Sequence, residues 1–503
     1  MEPFTLRRRA GGVLMHVTSL PGGHGVGDLG PEAWAFARTL AGAGQRWWQM
    51  LPIGPASRGN SPYTSSSTFA GSPLLLSLEL LAEKRWLGRA DLGGEPGADP
   101  ARVDYAAAAR YKSARLEKAF AAFERAGGAE RDGLDAFAAE KRGWLDDYAL
   151  FAALAEEQCT ANWLGWPEDL RARRPEALDA AGRRLAARVR YHKFLQYCFH
   201  EQWSALRSYC RELGVGLVGD LPIYVSHASA EVWSQQGLFL LDERGAPTAV
   251  AGVPPDYFSG TGQLWGNPLY RWEAHERSAF SWWIERLRCV GERFDAVRLD
   301  HFIGLQRYWE IPARAKTAKE GRWQPGPGEA MLKTVLGAVG PLEVIAEDLG
   351  AVTPEVLALR DRFDLPGMRI LQFAFDGDMQ VNVHLPHNHP RRCVVYTGTH
   401  DNDTSVGWLE RVNPAERERA LAYLGPSTEP FHWRFVRLAW MSEADTAIVP
   451  AQDLLGLDNR SRMNMPGKAD GNWQWRVLPG ALGREIADRL GAMTASYGRL
   501  VSK

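Results

Sequence analysis

Ala296-Val297-Arg298-Leu299-Asp300-His301-Phe302 is a short apolar run that turns polar towards its C-terminal end. Side chains alternate between the two faces of a strand, so Arg298 and Asp300 share a face, where the guanidinium can hold the carboxylate ionised. Similar runs lie at residues 12–18, 46–53, 216–225, 344–347, 368–375, 393–399 and 446–451, each bounded by Gly, Pro, Asp or His. Helical patterns separate several of them, as at residues 31–43 and 185–213. Apolar strands that alternate with helices belong to a parallel sheet covered on both faces. Eight of them predict an α/β fold, a (β/α)8 TIM barrel with helical and loop insertions.

The length of 503 residues suits one large barrel with insertions, or roughly three smaller domains. The spacing of the strands favours the first: a single catalytic barrel over residues 1–503, interrupted by a helical insertion at about 81–185 and a loop-rich insertion at about 226–271. The second insertion contains Val253-Pro254-Pro255-Asp256-Tyr257-Phe258-Ser259-Gly260-Thr261-Gly262-Gln263-Leu264-Trp265-Gly266-Asn267-Pro268, whose aromatic content argues against disorder.

Composition removes whole classes of function. Lys and Arg number 59 against 60 Asp and Glu, a net charge of −1, which leaves no global field to hold a nucleic acid or an anionic membrane. No window approaches the 18 or so apolar residues of a membrane span, and the N-terminal stretch is too short and broken for a signal-peptide core. The five cysteines contain no C-x-x-C pair, which speaks against a disulfide framework or a zinc site and for a reducing, cytoplasmic setting.

Two motifs are decoys. Gly25-x-Gly27-x-x-Gly30 follows a strand and precedes a helix, as a dinucleotide fingerprint does, but the second strand ends Gln49-Met50-Leu51-Pro52 without the acid that holds a ribose. His384-x-x-His387-x-His389 offers three imidazoles among prolines, where no regular element fixes them, and reads as a solvated loop.

Chemistry is expected where polar residues end apolar strands, since those ends converge on the mouth of a barrel. Asp220 lies in Val218-Gly219-Asp220-Leu221-Pro222, Glu347 and Asp348 end the fifth strand, and Thr399-His400-Asp401-Asn402-Asp403 ends the seventh. Alternation sends Glu347 and Asp348 to opposite faces, so only one of them faces the mouth. Several carboxylates without recurrent metal ligands, in a chain with 20 Trp, 14 Tyr and 19 Phe, suggest carbohydrate chemistry: paired carboxyl groups break glycosidic bonds, and sugar faces pack on aromatic rings. Which acid does which job does not follow from spacing.

The chain resembles the amylomaltases, the 4-α-glucanotransferases or disproportionating enzymes of the α-amylase clan (glycoside hydrolase family 77). The motifs that carry the resemblance include Thr18-Ser19-Leu20-Pro21, Asn60-Ser61-Pro62-Tyr63, Phe69-Ala70-Gly71-Ser72-Pro73, Gly219-Asp220-Leu221-Pro222-Ile223, Arg298-Leu299-Asp300-His301-Phe302, Ala346-Glu347-Asp348-Leu349-Gly350, Tyr396-Thr397-Gly398-Thr399-His400-Asp401-Asn402-Asp403-Thr404 and Arg462-Met463-Asn464. It implies transfer of α-1,4-glucan segments by a retaining double displacement, with Asp300 as nucleophile, Glu347 as general acid and base, and Asp401 as the acid that stabilises the distorted sugar. It also implies that Arg298 orients the nucleophile, that Tyr63 is a stacking platform and that His400 bonds the same sugar. Asp220, Gln263, Trp265, His301, Asp376 and Asn464 complete the implied substrate-binding set. α-1,4-Glucans and maltooligosaccharides are the implied donors and acceptors, for a monomer or weak homodimer without a cofactor.

Two departures stand out. Ser72 replaces a common Asn, and the motif at Asp220 lacks the Asn and His that accompany calcium in α-amylases, so no metal is expected. An α-1,4-glucan hydrolase is the alternative within the clan; a non-catalytic glucan-binding module and a nicotinamide oxidoreductase are the alternatives outside it. The loop over residues 252–267 is the feature able to shield an intermediate from water. Among the tryptophans, Trp47, Trp48, Trp265, Trp408 and Trp473 are candidate sugar platforms, whereas Trp34, Trp203, Trp282 and Trp283 fall on helical patterns that suit core packing.

Overall fold

Alternation along the strands decides which residues enter the barrel and which face its helices. A computed structural model of the protein describes residues 3–94, 96–97, 99–255, 259–468 and 470–500. Its barrel strands are β1 (Ala10–Leu14), β2 (Trp47–Gln49), β3 (Gly216–Pro222), β4 (Ala296–Asp300), β5 (Glu343–Ala346), β6 (Gly367–Ile370), β7 (Cys393–Tyr396) and β8 (Thr446–Pro450), all parallel and neighbours in chain order. The barrel closes where β1 pairs with β8, from Ala10 opposite Thr446 to Leu14 opposite Pro450. Ala10, Leu14, Trp47, Val218, Ala296, Ile345, Met368, Val394, Tyr396 and Ile448 form one apolar cluster, the filling of the barrel. Their strand neighbours Val13, Trp48, Leu217, Val297, Leu299, Val395, Ala447 and Val449 belong to the larger cluster shared with the surrounding helices. The fold is a (β/α)8 barrel.

Every strand stops short of the apolar run that announced it. The run at 368–375, for example, supports a ladder only over Gly367–Ile370 before Leu371–Phe373 turns into 3-10 helix. Apolar character reports burial, and the residues after each ladder are buried in the mouth loops instead.

The connection from β2 to β3 carries helices Tyr105–Ala126, Ala129–Glu140, Arg142–Glu157 and Pro175–Arg184 before the long crossover helix Ala186–Glu212. Trp86, Phe123 and Phe194 interlock there, with ring centroids 5.2 Å apart for the first pair and 4.8 Å for the second. Gly71 allows the crossover helix to come close. A Cβ at this position would stand 2.2 Å from the Phe199 ring, while the Gln196 side-chain amide closes two hydrogen bonds, of 2.8 and 2.9 Å, on the Gly71 backbone.

The stretch read as loop-rich contains strands Ala249–Val253 and Gln263–Pro268, which join Arg307–Pro312 and Arg322–Pro325 in a four-stranded antiparallel sheet. Two of these strands come from the connection after β4, so no local pattern announces the pairing. Asp256, Tyr257 and Phe258 lie outside the described residues. Among the described residues, no helix is long and apolar enough to cross a membrane.

Arg499 fastens the seam of the barrel. Its guanidinium is fully buried and donates to the carbonyls of Ala10, Asp445, Ala439, Trp440 and Ser442, joining β1 to the residue before β8 and to the end of helix Phe431–Met441. Burial and the nearby Arg9 push it down to about 9. Arg499→Met removes this shared donor, leaving the Trp440 and Ser442 carbonyls to Arg9 and the Asp445 carbonyl to the Ala10 N–H, and should lower stability by about 1–3 kcal/mol, read as a shift in the urea or thermal midpoint; an unchanged midpoint would contradict the role.

Candidate active site

The inward positions of β3 and β4 set two carboxylates on either side of one guanidinium. Arg298 donates to both oxygens of Asp220, at 2.9 and 2.8 Å, and its second terminal nitrogen lies 2.7 Å from Asp300 Oδ1. Asp220 also accepts a 2.7 Å hydrogen bond from the Tyr63 hydroxyl. Burial and the charge of Asp300 push the Asp220 carboxyl up, and Arg298 opposes them. Asp300 is the more open of the two, with about a quarter of its side chain accessible at the mouth (27%).

Glu347 follows β5 on the same inward face. It accepts from the backbone N–H of His301 at 2.8 Å and of Leu349 at 3.2 Å. Burial raises its carboxyl well above the usual range, with Asp300 adding to the rise and Arg298 opposing it. Asp348 points the other way, accepting from Met368 N–H at 2.7 Å and pairing with Arg360 at 2.5 Å. It is a structural ion pair behind the sheet.

Asp401 sits on the loop after β7. Enclosure in the mouth works to raise its carboxyl, but His400, Asn464 and Arg298 outweigh it and hold the group below the usual carboxylate range. Asn464 Nδ2 donates to Asp401 at 2.6 Å, and His400 Nε2 lies 3.3 Å from it. The His400 ring stacks on Tyr63, with centroids 5.2 Å apart, and Trp473 packs against both. Over the β4 side, the Trp265 and His301 rings meet edge to face with centroids 4.9 Å apart, and Trp265 Nε1 donates to Gln263 Oε1 at 3.1 Å. Burial makes His301 a neutral imidazole, pushed down to about 4, and its Nε2 is buried without a protein partner.

The structure thus gathers Tyr63, Asp220, Arg298, Asp300, His301, Glu347, His400, Asp401 and Asn464 at one mouth, with Gln263 and Trp265 beside it. Asp376 is exposed on the loop after β6, and its hydrogen bonds stay within that loop, to Gly377 N–H and, through its carbonyl, Asn382. Of the five candidate platform tryptophans, Trp265 and Trp473 are at the mouth. Trp47 and Trp48 are fully buried, and Trp408 packs on Phe375 and Phe435, so these three belong to the core.

Two residues of the site escaped the sequence reading. His16 ends the run after β1 as other polar residues end theirs; it lines the cavity behind His400, and its Nδ1 has no protein partner. Arg462, in the motif with Asn464, donates to the carbonyls of Asn464 and Asp401 at 2.6 and 2.5 Å.

The decoys resolve into structure. Gly27 is required because a Cβ there would stand 2.1 Å from the Val17 carbonyl. The histidines at 384–389 are not a solvated cluster: His384 Nδ1 accepts from Ile370 N–H, His389 bonds Ser442 and the His384 carbonyl, and His387 bonds Tyr423. Among the described residues, only His24, Asp28 and Glu79 approach as metal ligands would, and the buried ammonium of Lys112 already supplies a cation 2.7 Å from Asp28.

The chain is similar to known proteins over almost its whole length. A family model described as 4-alpha-glucanotransferase matches residues 15–480. The 4-alpha-glucanotransferase of Thermus thermophilus is 49% identical over 501 residues, 98% of this chain and 99% of its own. That of Synechocystis sp. is 46% identical over 501 residues, 99% of each chain. Among solved structures, the amylomaltase from Streptococcus agalactiae in complex with acarbose is similar with a TM-score of 0.95 at 38% identity, covering 98% of this chain and 100% of that one.

Burial sets the acid limit of the fold. His16 and His384 are pushed down to about 3, and His275, His301 and His389 to about 4. An unfolded histidine titrates near about 6.5, so between these values the unfolded chain binds more protons, and stability is complete above that range and lost as pH falls through it. Calorimetry from about pH 7.5 to about pH 5 should show a falling Tm with net proton uptake on unfolding; a flat Tm would contradict the burial of neutral imidazoles.

Proposed function

The chain belongs to the 4-alpha-glucanotransferase family, and from that premise we propose how its mouth moves an α-1,4-glucan segment from a donor chain to the 4-hydroxyl of an acceptor glucan or glucose. The activity is glucan transfer in preference to hydrolysis. In the first displacement Asp300, oriented by Arg298, attacks the anomeric carbon while Glu347 gives its proton to the departing glycosidic oxygen. In the second, the same Glu347, now a carboxylate, takes the proton of the acceptor hydroxyl as that oxygen replaces Asp300 at the anomeric carbon. Two inversions leave the α configuration intact.

The observation that carries this reading is the opposite tuning of two carboxyl groups at one mouth. Glu347 is held up and keeps the proton it must give, whereas Asp401 is held down and keeps the charge that faces an oxocarbenium-like ring and accepts from its hydroxyls. Tyr63, stacked on His400, offers an aromatic wall for the sugar at the reacting centre. Gln263 and Trp265, on the small antiparallel sheet, lie over the nucleophile's side, where an acceptor sugar can displace water before the intermediate hydrolyses.

All of these groups come from one chain, so the chemistry needs no second copy, and the proposed state is a monomer or a weak homodimer. The free thiols of Cys159, Cys198, Cys210, Cys289 and Cys393 suit a cytoplasmic setting, and the donors and acceptors are α-1,4-glucans and maltooligosaccharides.

Incubation with maltotriose tests both the activity and the role of Glu347. The wild-type protein should yield glucose with maltopentaose and longer chains, and Glu347→Gln should slow this by about 10²–10⁴-fold while keeping the folded Tm. Glucose and maltose alone, from the wild-type chain, would reject transfer, and full activity in the variant would reject the assignment.

A further inference from the structure

We propose that Asp453, a buried carboxylate that takes no part in the mouth itself, is a positioning residue for the transfer reaction, because it ties together both ends of the loop that carries His400 and Asp401. The inference rests on the glucanotransferase reading above.

β7 and β8 run side by side only from Val394 opposite Thr446 to Tyr396 opposite Ile448. Beyond Tyr396 the chain leaves the ladder, carries His400 and Asp401 over the mouth, and re-enters regular structure at helix Ser405–Arg411. Asp453 lies in the short helix Ala451–Leu454 that follows β8, with 1% of its surface exposed. Its Oδ2 accepts from Thr397 Oγ1 at 2.5 Å, at the first residue past β7, and its Oδ1 accepts from Ser405 N–H at 2.7 Å, at the first residue of the helix. One rigid carboxylate therefore fixes the separation of the two loop ends where the sheet no longer does.

Further contacts brace the loop between those ends. Asn402 Oδ1 accepts from Thr399 N–H and Oγ1, both at 2.9 Å; Gln372 Nε2 donates to the Asp403 carbonyl at 2.7 Å; and Asn459 Nδ2 donates to the Asp403 carboxylate at 2.6 Å. With its base released, the loop is held only by these braces and by Arg462 and Asn464, and a shift of its ends carries Asp401 off its place against the sugar. A displacement of about 1 Å at a catalytic group is enough to slow a reaction about 100-fold.

The test uses the full chain and compares Asp453→Ala, Asp453→Asn and Thr397→Val with wild type. Maltotriose disproportionation gives kcat and KM, inhibition by acarbose reports affinity for a flattened, unsaturated ring, and Tm reports folding. Asp453→Ala should lose about 10–100-fold in kcat with KM within about 3-fold, and acarbose should weaken in parallel, since what is lost is complementarity to the transition state. Thr397→Val, which removes one tie, should fall between. Asp453→Asn, which keeps an acceptor for Ser405 N–H and gains a donor for Thr397 Oγ1, should recover most of the activity. Unchanged kcat per folded molecule in Asp453→Ala, or lost kcat with unaltered acarbose affinity, would overturn the proposal. If Asp453→Ala does not fold, Thr397→Val decides: reduced kcat and acarbose affinity at near wild-type Tm support it, and wild-type values overturn it. Absence of chain-lengthened products from the wild-type protein rejects the glucanotransferase reading instead, and is thereby distinguishable.

Discussion

A single guanidinium inside the barrel organises the mouth. Arg298 is nearly inaccessible to solvent and divides its donors between Asp220 and Asp300. Burying a carboxylate such as Asp220 is unfavourable unless a paired charge and hydrogen bonds replace its water. Arg298 provides the charge, and Tyr63 provides a further hydrogen bond that also places its ring beside His400. The same positive charge opposes the rise of Glu347 and helps to hold Asp401 down. Asp300, Glu347 and Asp401 are therefore electrostatically linked through one residue of β4, and its geometry is inherited from the barrel.

That geometry requires rigidity at the seam and at the strand ends. The seam between β1 and β8 is reinforced by Arg499, which bonds carbonyls of β1, of the residue before β8 and of the neighbouring helix end with one guanidinium. The strand ends depend on insertions packed by aromatic rings, including Trp163 against His227, Trp166 against Trp233, and Trp203 between Phe199 and Phe294. Most of the twenty tryptophans act in this way. Of the two rings at the mouth, Trp265 is exposed and available to a sugar, whereas Trp473 is buried behind Tyr63 and His400.

How much of this is legible in the chain depends on whether its cause is local. The eight strands are legible because buried strands write themselves as short apolar runs, and the shared face of Arg298 and Asp300 and the opposite faces of Glu347 and Asp348 follow from a period of two. Strand ends are not legible, because a residue buried in a mouth loop resembles one in a ladder. The four-stranded sheet is missed because its strands come from two connections; Arg499 and Asp453 are missed because their partners are distant in sequence and mostly backbone atoms. Trp47, Trp48 and Trp408 mislead for the complementary reason: nearness to a motif in sequence does not place a ring at the mouth. His16 had a local signal, a polar residue ending an apolar run, and could have been found by the rule that found the others.

In the proposed double displacement Asp300 becomes covalently attached to sugar, and Glu347 governs both the formation and the release of that attachment. An α-maltotriosyl fluoride donor tests it most directly, because fluoride departs without a proton donor, so Glu347→Gln should form the intermediate and then fail to activate an acceptor. Mass spectrometry of the intact variant should show a stable maltotriosyl increment, and peptide mapping should place it on Asp300. An increment on another residue, or none while fluoride is released at the wild-type rate, would contradict the account.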